Sequence, residues 1–385
     1  MTWKRMITLT LLGALLITCK RIPTMKQELV NVVDMLDTGL LAAKTVQNEE
    51  QGKINAVFYY ANNSLYIADR KNSRIMGIDE DNRLFLEIGD LTQDSTNQGQ
   101  NLWDEEVNKF LSKMDKPENV EKKQKSAVSP RKKSRIKYTF KRVDKIMADI
   151  KENIYVVHYD ETGMSILKFD GEGKFLYRIG EYGRDNDPFN ANTEVIDLYV
   201  SKSNGIWVKY LDQGMLKIQY YLEDGKNIKL NFEENKIESA VNAFLEKKEA
   251  EYHRIIEDIF PLSESSKIAV IVNIYKKETG RFNVYKKYFF QLSRDYDVEE
   301  YWQFDDVHLQ VFNVNIDDQI VCFSYLNQEK TPILKIYSSS GKVFLEKKIN
   351  LQKFNYKRLS VSLTQNGEIL GVFLKNQLAY FVKWK

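Results

Sequence analysis

The sequence predicts an all-β fold, a six-bladed β-propeller interrupted by two helical or disordered insertions. Three observations support it. The 385 residues include 22 Tyr and 20 Phe, side chains that fit a pleated surface. Short apolar runs recur, bounded by turns of Gly, Asn and Asp, as hairpins require. Their apolar centres fall at Tyr66, Tyr155, Trp207, Val270, Val321 and Leu370, with gaps of 89, 52, 63, 51 and 49 residues. The two long gaps each contain a segment that does not read as sheet. Allowing for them, six units of about 50 residues remain, the size of a four-stranded blade. The competing architecture is a β-sandwich or barrel with accidental repetition.

The first unit is the clearest. Leu65 to Asp79 reads strand, polar turn, strand, and Glu80-Asp81-Asn82-Arg83-Leu84 supplies an acidic turn and the start of a third strand. With its Asp69…Asn72…Arg74 set, this unit resembles the NHL repeat of β-propellers. Asp and Asn side chains bond nearby backbone groups, so the set is expected to hold a turn rather than catalyse. A second copy runs through Ile154 to Val157 and Ile166 to Phe169, keeps the turn Asp170-Gly171-Glu172-Gly173, but lacks the Asp and the Asn/Arg set and has two extra hairpin residues. Fainter copies begin at Gly205, Lys267, Gln319 and Glu368. The last runs out of chain at Trp384-Lys385 after about three strands. An open ring would leave an exposed edge, so a strand from Leu29 to Leu36 is expected to complete it, although those residues would also suit a helix.

The N-terminus carries a different signal. Lys4-Arg5 precedes an apolar run from Met6 to Ile17, too short for a hydrocarbon core that needs roughly 20 apolar residues. A basic segment followed by a short apolar one is an export pattern. The run ends Leu16-Ile17-Thr18-Cys19, which resembles a bacterial lipobox with Thr18 where Gly, Ala or Ser is usual. The resemblance implies a signal peptide over 1–18, lipid attachment at Cys19, a tether over 19–53 and a propeller over 54–385. A signal without lipidation and a cytoplasmic start are the other readings. The whole resembles the NHL-repeat propeller lipoproteins of spirochaetes, placed in the bacterial cell envelope, periplasm-facing or at the outer membrane. The other cysteine, Cys322, lies in an apolar stretch and reads as an inert core thiol.

The first insertion spans about 93–135. Trp103, Val107, Phe110, Leu111 and Met114 form one stripe at helical spacing, and Lys116 to Arg135 reads as a flexible tether. From Lys109 to Arg142 there are 13 basic and 3 acidic residues, net +10, so the rest of a chain of net charge +3 carries −7. The docking candidates are Trp103, Val107, Phe110, Lys122, Lys123, Arg131, Lys132 and Lys133, facing an anionic surface of lipid headgroups or an acidic partner; the plainer reading is a solvated loop. The second insertion, about 233–258, places Ile237, Val241, Phe244, Leu245, Tyr252, Ile255 and Ile256 on one face of an expected helix of five or six turns.

No Gly-x-Ser-x-Gly, P-loop, HExxH or EF-hand pattern occurs. The three histidines, His158, His253 and His308, fall in different units, and two cysteines exclude a Cys-rich zinc module. Mean hydropathy of −0.46 excludes a multispan membrane protein. The strand ends taken to face the channel, Asp69, His158, Tyr210, Ser324 and Phe373, share no ligand chemistry. The expectation is therefore a non-enzymatic binding or scaffold module for an envelope protein or glycan, without cofactor, metal or nucleic-acid partner. A propeller enzyme of the lactonase or lyase type acting in the periplasm is the alternative.

Overall fold

A computed structural model describes residues 27–34, 56–90 (except 71 and 80–82), 132–349 (except 181–188, 190–191, 226, 247, 249–251, 263–265, 279, 316 and 326–331), 358–363, 369–375 and 378–384. The chain is all-β and arranged as a β-propeller. In chain order, β1 (Gln27–Asp34) is followed by a first sheet of β2 (Ala56–Ala61), β3 (Ser64–Asp69), β4 (Arg74–Ile78), β5 (Leu84–Gly89) and β6 (Ser134–Lys137). The second holds β7 (Arg142–Ala148), β8 (Ile154–Asp160), β9 (Gly163–Phe169) and β10 (Phe175–Ile179). The third holds β11 (Glu194–Val200), β12 (Ile206–Asp212), β13 (Met215–Tyr221) and β14 (Asn227–Glu233), with helix α1 (Glu234–Glu246) after it. The fourth holds β15 (His253–Pro261), β16 (Ile268–Glu278), β17 (Arg281–Leu292) and β18 (Val298–Gln303). The fifth holds β19 (Gln310–Val314), β20 (Ile320–Tyr325), β21 (Pro332–Tyr337) and β22 (Val343–Lys348). The last holds β23 (Arg358–Leu363), β24 (Ile369–Lys375) and β25 (Leu378–Trp384), completed by β1.

The expected six four-stranded blades are corrected to five. The first sheet departs from the blade form because β6 adds a fifth strand, parallel to β5. The flexible tether expected to reach Arg135 therefore ends earlier: Ser134 and Arg135 are in β6, where the Arg135 Nε sits 3.0 Å from Glu87 Oε2. The residues of β1 pair antiparallel with β25, from Gln27 against Trp384 to Asp34 against Leu378. Phe58 of β2 meets Phe381 of β25 edge-on at 5.1 Å, and Lys383 lies 5.4 Å from the Tyr60 ring, so the last sheet packs on the first.

Local chemistry explains the hairpins. Asp79, Asp149, Asp170, Ser201, Ser293, Asn315 and Ser338 each open a five-residue turn. In each, the side-chain oxygen accepts the backbone N–H four residues on, at 2.8 to 3.2 Å. Where the fourth residue of the turn is described it has positive φ, from 56° at Asp318 to 88° at Gly173, as a type I turn with a following bulge demands. All seven turns join a first strand to a second or a third to a fourth. Strand alternation therefore places them on one face of the disc, the turn face, where Gln27 and Trp384 also lie. The opposite, connection face carries the second-to-third hairpins and the links between sheets, among them α1.

The core lies between sheets. The third-to-fourth turns of the second to fifth sheets seat on the outer strand of the preceding sheet. A Cβ on Gly173 would stand 2.8 Å from Leu86 and 3.1 Å from Ile136, one on Gly225 2.8 Å from Tyr177, and one on Gly341 2.7 Å from Trp302. Hydrogen bonds fix these seats: Trp302 Nε1 donates to Ser339 O at 2.7 Å, the Tyr177 hydroxyl donates to Glu223 O, and Glu233 N donates to the Tyr296 hydroxyl at 3.2 Å.

The expected second helix is also shortened. Ile237, Val241 and Leu245 of α1 are buried with Trp207, Phe232 and Ile274, but the helix stops at Glu246. Tyr252 lies beyond it, and Ile255 and Ile256 belong to β15, not to the helix. The β-branched pair suits a strand, and pairing with β16 along the whole of β15 outweighs a helical spacing that is only local. Among the described residues no helix is long and apolar enough to cross a membrane.

Two outcomes test this architecture. Removing residues 27–34 should lower the thermal midpoint by at least about 5 °C, since it opens the last sheet and bares β25; calorimetry reads this, and an unchanged midpoint would refute the closure. Gly180→Ala should cost about 3 kcal/mol or more in denaturant unfolding, because φ is +81° and the new Cβ would lie 1.5 Å from the Phe189 ring.

Candidate functional site

The first strand of each sheet lines the axis, and three of them bulge at the same place. Pairing skips one residue between Val195 and Asp197, between Ile256 and Asp258, and between Val311 and Asn313. A bulge re-aims side chains. At each, the Asx side chain accepts the next backbone N–H: Leu198 to Asp197 at 2.9 Å, Ile259 to Asp258 at 2.8 Å and Val314 to Asn313 at 2.7 Å. In β7 the irregularity falls between Val143 and Ile146, at Asp144-Lys145. An Asp–Asp–Asn series with Lys145 beside it thus faces the bore.

Charges of opposite sign meet there. The Lys209 ammonium bonds Asp258 across the third and fourth sheets and lies 5.3 Å from the Phe260 ring. Glu257, the extra residue of the β15 bulge, meets the buried Lys287 at 2.7 Å. Asp197 keeps contact with solvent along the bore, yet the surrounding protein pushes its carboxyl above the usual range, with Lys145 and Lys209 acting against that rise. Burial first, then Asp197, holds the Tyr199 and Tyr59 hydroxyls far above ordinary tyrosine values. Lysines oppose each carboxylate, so the bore is a nearly balanced polar lining that ties four sheets together. Among the described residues no three His, Cys, Asp or Glu side chains converge to hold a metal.

The residues singled out from the sequence fall elsewhere. Asp69 is fully buried: Oδ1 accepts Asn72 N at 3.1 Å, and Oδ2 accepts Asn72 Nδ2 at 2.7 Å and Arg74 Nε at 2.9 Å. Arg74 also reaches Glu87 at 3.3 Å, so the repeat signature locks a turn to the outer strands. Losing one partner of such a buried pair costs about 3–5 kcal/mol. Asp69, His158, Tyr210 and Ser324 lie on second strands and are buried, which corrects their assignment to the channel; first strands hold that position. His158 Nε2 accepts Lys141 N at 3.2 Å, and burial lowers the pKa of its ring. His253 opens β15 instead of lying on a helix. His308 donates its N–H to Asp306 at 2.9 Å in a turn. Cys322 is buried with its thiol pushed up by desolvation, unsuited to thiolate chemistry. Lys132 and Lys133 are exposed just before β6. Cys19, Trp103, Val107, Phe110, Lys122, Lys123 and Arg131 lie outside the described residues.

A second feature escaped sequence reading. β16 and β17 have 11 and 12 residues, where the other second and third strands have 5 to 7. Their hairpin extends past the connection face with Phe282 58% exposed and Tyr285 and Ile255 each 44% exposed. The signal was the long apolar and aromatic stretch on either side of Thr279-Gly280.

These elements define a β-propeller protein. No protein-family model matches the sequence, and no curated protein matches it. Among solved structures it is similar to a polysaccharide lyase, at 7% identity and a TM-score of 0.42 over 94% of this chain and 99% of that one. It is similar to the calcium-binding protein regucalcin from Agrobacterium tumefaciens, at 9% identity and a TM-score of 0.36 over 86% and 90%. A protein of unknown function from Bacteroides caccae matches at 10% identity and a TM-score of 0.28, over 57% of this chain and 65% of that one.

The raised carboxyl pKa of Asp197 has a pH signature. A carboxyl whose folded pKa exceeds its unfolded value contributes stability at low pH, and that contribution is lost as pH rises through the folded value. Asp197→Asn should therefore raise the thermal midpoint at pH 7 and bring little gain near pH 4. A gain that grows toward acid would contradict the raised carboxyl pKa.

Proposed function

We propose that this chain is a membrane-anchored envelope lipoprotein whose propeller is a non-enzymatic binding module, presenting its connection face to a protein or glycan partner. The polarity of the disc supports this reading. Gln27 opens β1 on the turn face, eight residues after Cys19, a span of at most about 28 Å when extended. A lipid at Cys19 would hold the turn face toward the membrane and leave α1 and the long hairpin facing away. Lys132 and Lys133 precede β6 at the turn-face end of a strand parallel to β5. There they suit contact with anionic headgroups beside the anchor. A second reading, catalysis of the lactonase or lyase type in the periplasm, has support in the Lys145, Asp197, Lys209 and Asp258 set, where burial raises a carboxyl pKa beside lysines. Turnover of a lactone or uronate that Asp197→Asn abolishes would favour it.

The orientation is tested with single cysteines in the lipidated chain on phosphatidylglycerol vesicles. Glu172→Cys lies in a turn-face turn, and Met215→Cys, at a 51% exposed position, begins β13 on the connection face. A membrane-impermeant maleimide should label both equally in detergent. On vesicles it should react at least about fivefold more slowly with the first, while Cys322 stays buried and silent. Equal rates on vesicles, or retention of a Cys19→Ala chain, would overturn the reading.

A further inference from the structure

The fifth strand of the first sheet is fastened just past its end by a histidine. β6 lies parallel on β5 through four residue pairs, Leu86 with Ser134 to Gly89 with Lys137, and Tyr138 N donates to Gly89 O at 3.0 Å. The link from Tyr138 to Lys141 then crosses to the second sheet. Lys141 is fixed from both sides. Its carbonyl accepts the Ser73 hydroxyl at 3.2 Å, and its N–H donates to His158 Nε2 at 3.2 Å. Phe140, with its ring 6.0 Å from that of His158, is buried at the same corner. β6 and this link form a strap that joins the first two sheets.

Accepting at Nε2 commits the ring to its neutral form, with the proton on Nδ1. That nitrogen is buried without a hydrogen-bond partner, and Asp160 Oδ2 stands 3.8 Å from it. Arg178 of β10 approaches Asp160 at 3.3 Å, and Thr162 donates to it from its backbone N–H at 2.9 Å and its hydroxyl at 2.5 Å. Directly across from His158 are the uncharged Ser165 on β9 and Val143 on β7. The other charges near this corner are paired: Lys141 with Glu161 at 3.5 Å, Arg70 with Asp144, and Arg74 with Asp69 and Glu87. Arg142 lies over the Tyr159 ring at 4.7 Å, on the other face of the sheet.

We infer that His158 is an acid-released latch on this strap. A second proton makes both ring nitrogens donors, so Nε2 can no longer accept the Lys141 N–H, while Nδ1–H has the Asp160 carboxylate to turn to. The neutral and charged rings thus hold different partners, as a switch requires. Burial keeps the ring neutral until the pH falls below the ordinary histidine range, with Asp160 opposing it and Arg178 assisting. In that direction the bond to Lys141 holds the strap at neutral pH and is lost as pH falls through the folded value. Its loss frees Lys141, lifts the link and lets β6 leave β5, whose outer edge is then open. The latch works without the anchor and without a ligand, so it stands or falls apart from the proposed function.

Amide hydrogen exchange on the detergent-solubilised full chain, corrected for the intrinsic effect of pH on exchange, tests the latch. Between about pH 7 and about pH 5 the amides of Lys141 and β6 should lose protection at least about tenfold, while those of β8 and β9 keep theirs. His158→Gln, whose side-chain oxygen can accept from Lys141 N at any pH, should hold the strap closed at both. Nuclear magnetic resonance of the labelled ring nitrogens follows His158 in the wild-type chain and needs no variant. Nε2 should be unprotonated at neutral pH, and the midpoint of its titration should match that of the lost protection. Unchanged protection in acid, the same loss in His158→Gln, midpoints that differ, or a loss spread evenly over all sheets would overturn the inference.

Discussion

The molecule depends on one contact, the seat that an outer strand offers to a turn of the next sheet. Gly173, Gly225 and Gly341 let backbone lie directly against Leu86, Tyr177 and Trp302. Adjacent hydrogen bonds from Trp302 and Tyr177 to turn carbonyls give the contact a direction as well as an area. Hydrophobic burial between sheets is large but indifferent to small slides. A ring bonded to a carbonyl beside a glycine is not, so these seats set the angle between sheets. The capped turns at Asp170, Ser293 and Ser338 matter for the same reason: a turn whose shape drifted would not fit its seat.

At the axis the constraint is electrostatic. First strands crowd together at the axis, and the chain responds with bulges bearing short polar side chains. Asp197, Asp258 and Asn313 satisfy part of their own need through the following backbone N–H, and lysines from neighbouring strands offset the remaining charge. The bore is thus built from polar groups that hold one another. The long β16–β17 hairpin differs in kind, with the Phe282 and Tyr285 rings exposed beyond the connection face.

Much of this was legible because it is local. Asp69, Asn72 and Arg74 lie within six residues, and their geometry follows from a single turn. The Asp-Gly-x-Gly turn at 170–173 announces its positive φ directly. Less legible were features that depend on distant strands. The bulges read as Val-Ile-Asp-Leu, Ile-Glu-Asp-Ile and Val-Phe-Asn-Val, which differ in no obvious way from ordinary strand. Tyr252, Ile255 and Ile256 keep helical spacing after Leu245, and only the length of β16 beside them shows that they continue a sheet. The channel was assigned to second strands because those carry the strongest repeat signal. They carry it because they are the most buried, and the axis is lined by the less regular first strands. β6 was hidden within a basic stretch whose composition suggests a tether.

The pairing of β1 with β25 has a consequence in time. Gln27 and Trp384 are partners at opposite ends of the chain, so the last sheet cannot form until nearly the whole polypeptide is available. Contacts of such long sequence separation are slow to form. Until they do, the earlier sheets can assemble in order, each seating on its predecessor, while β25 presents an open edge. The interval in which that edge waits for β1 is the period when the chain is most vulnerable to pairing with another copy of itself. A segment held close to its own C-terminal partner from the start would shorten it.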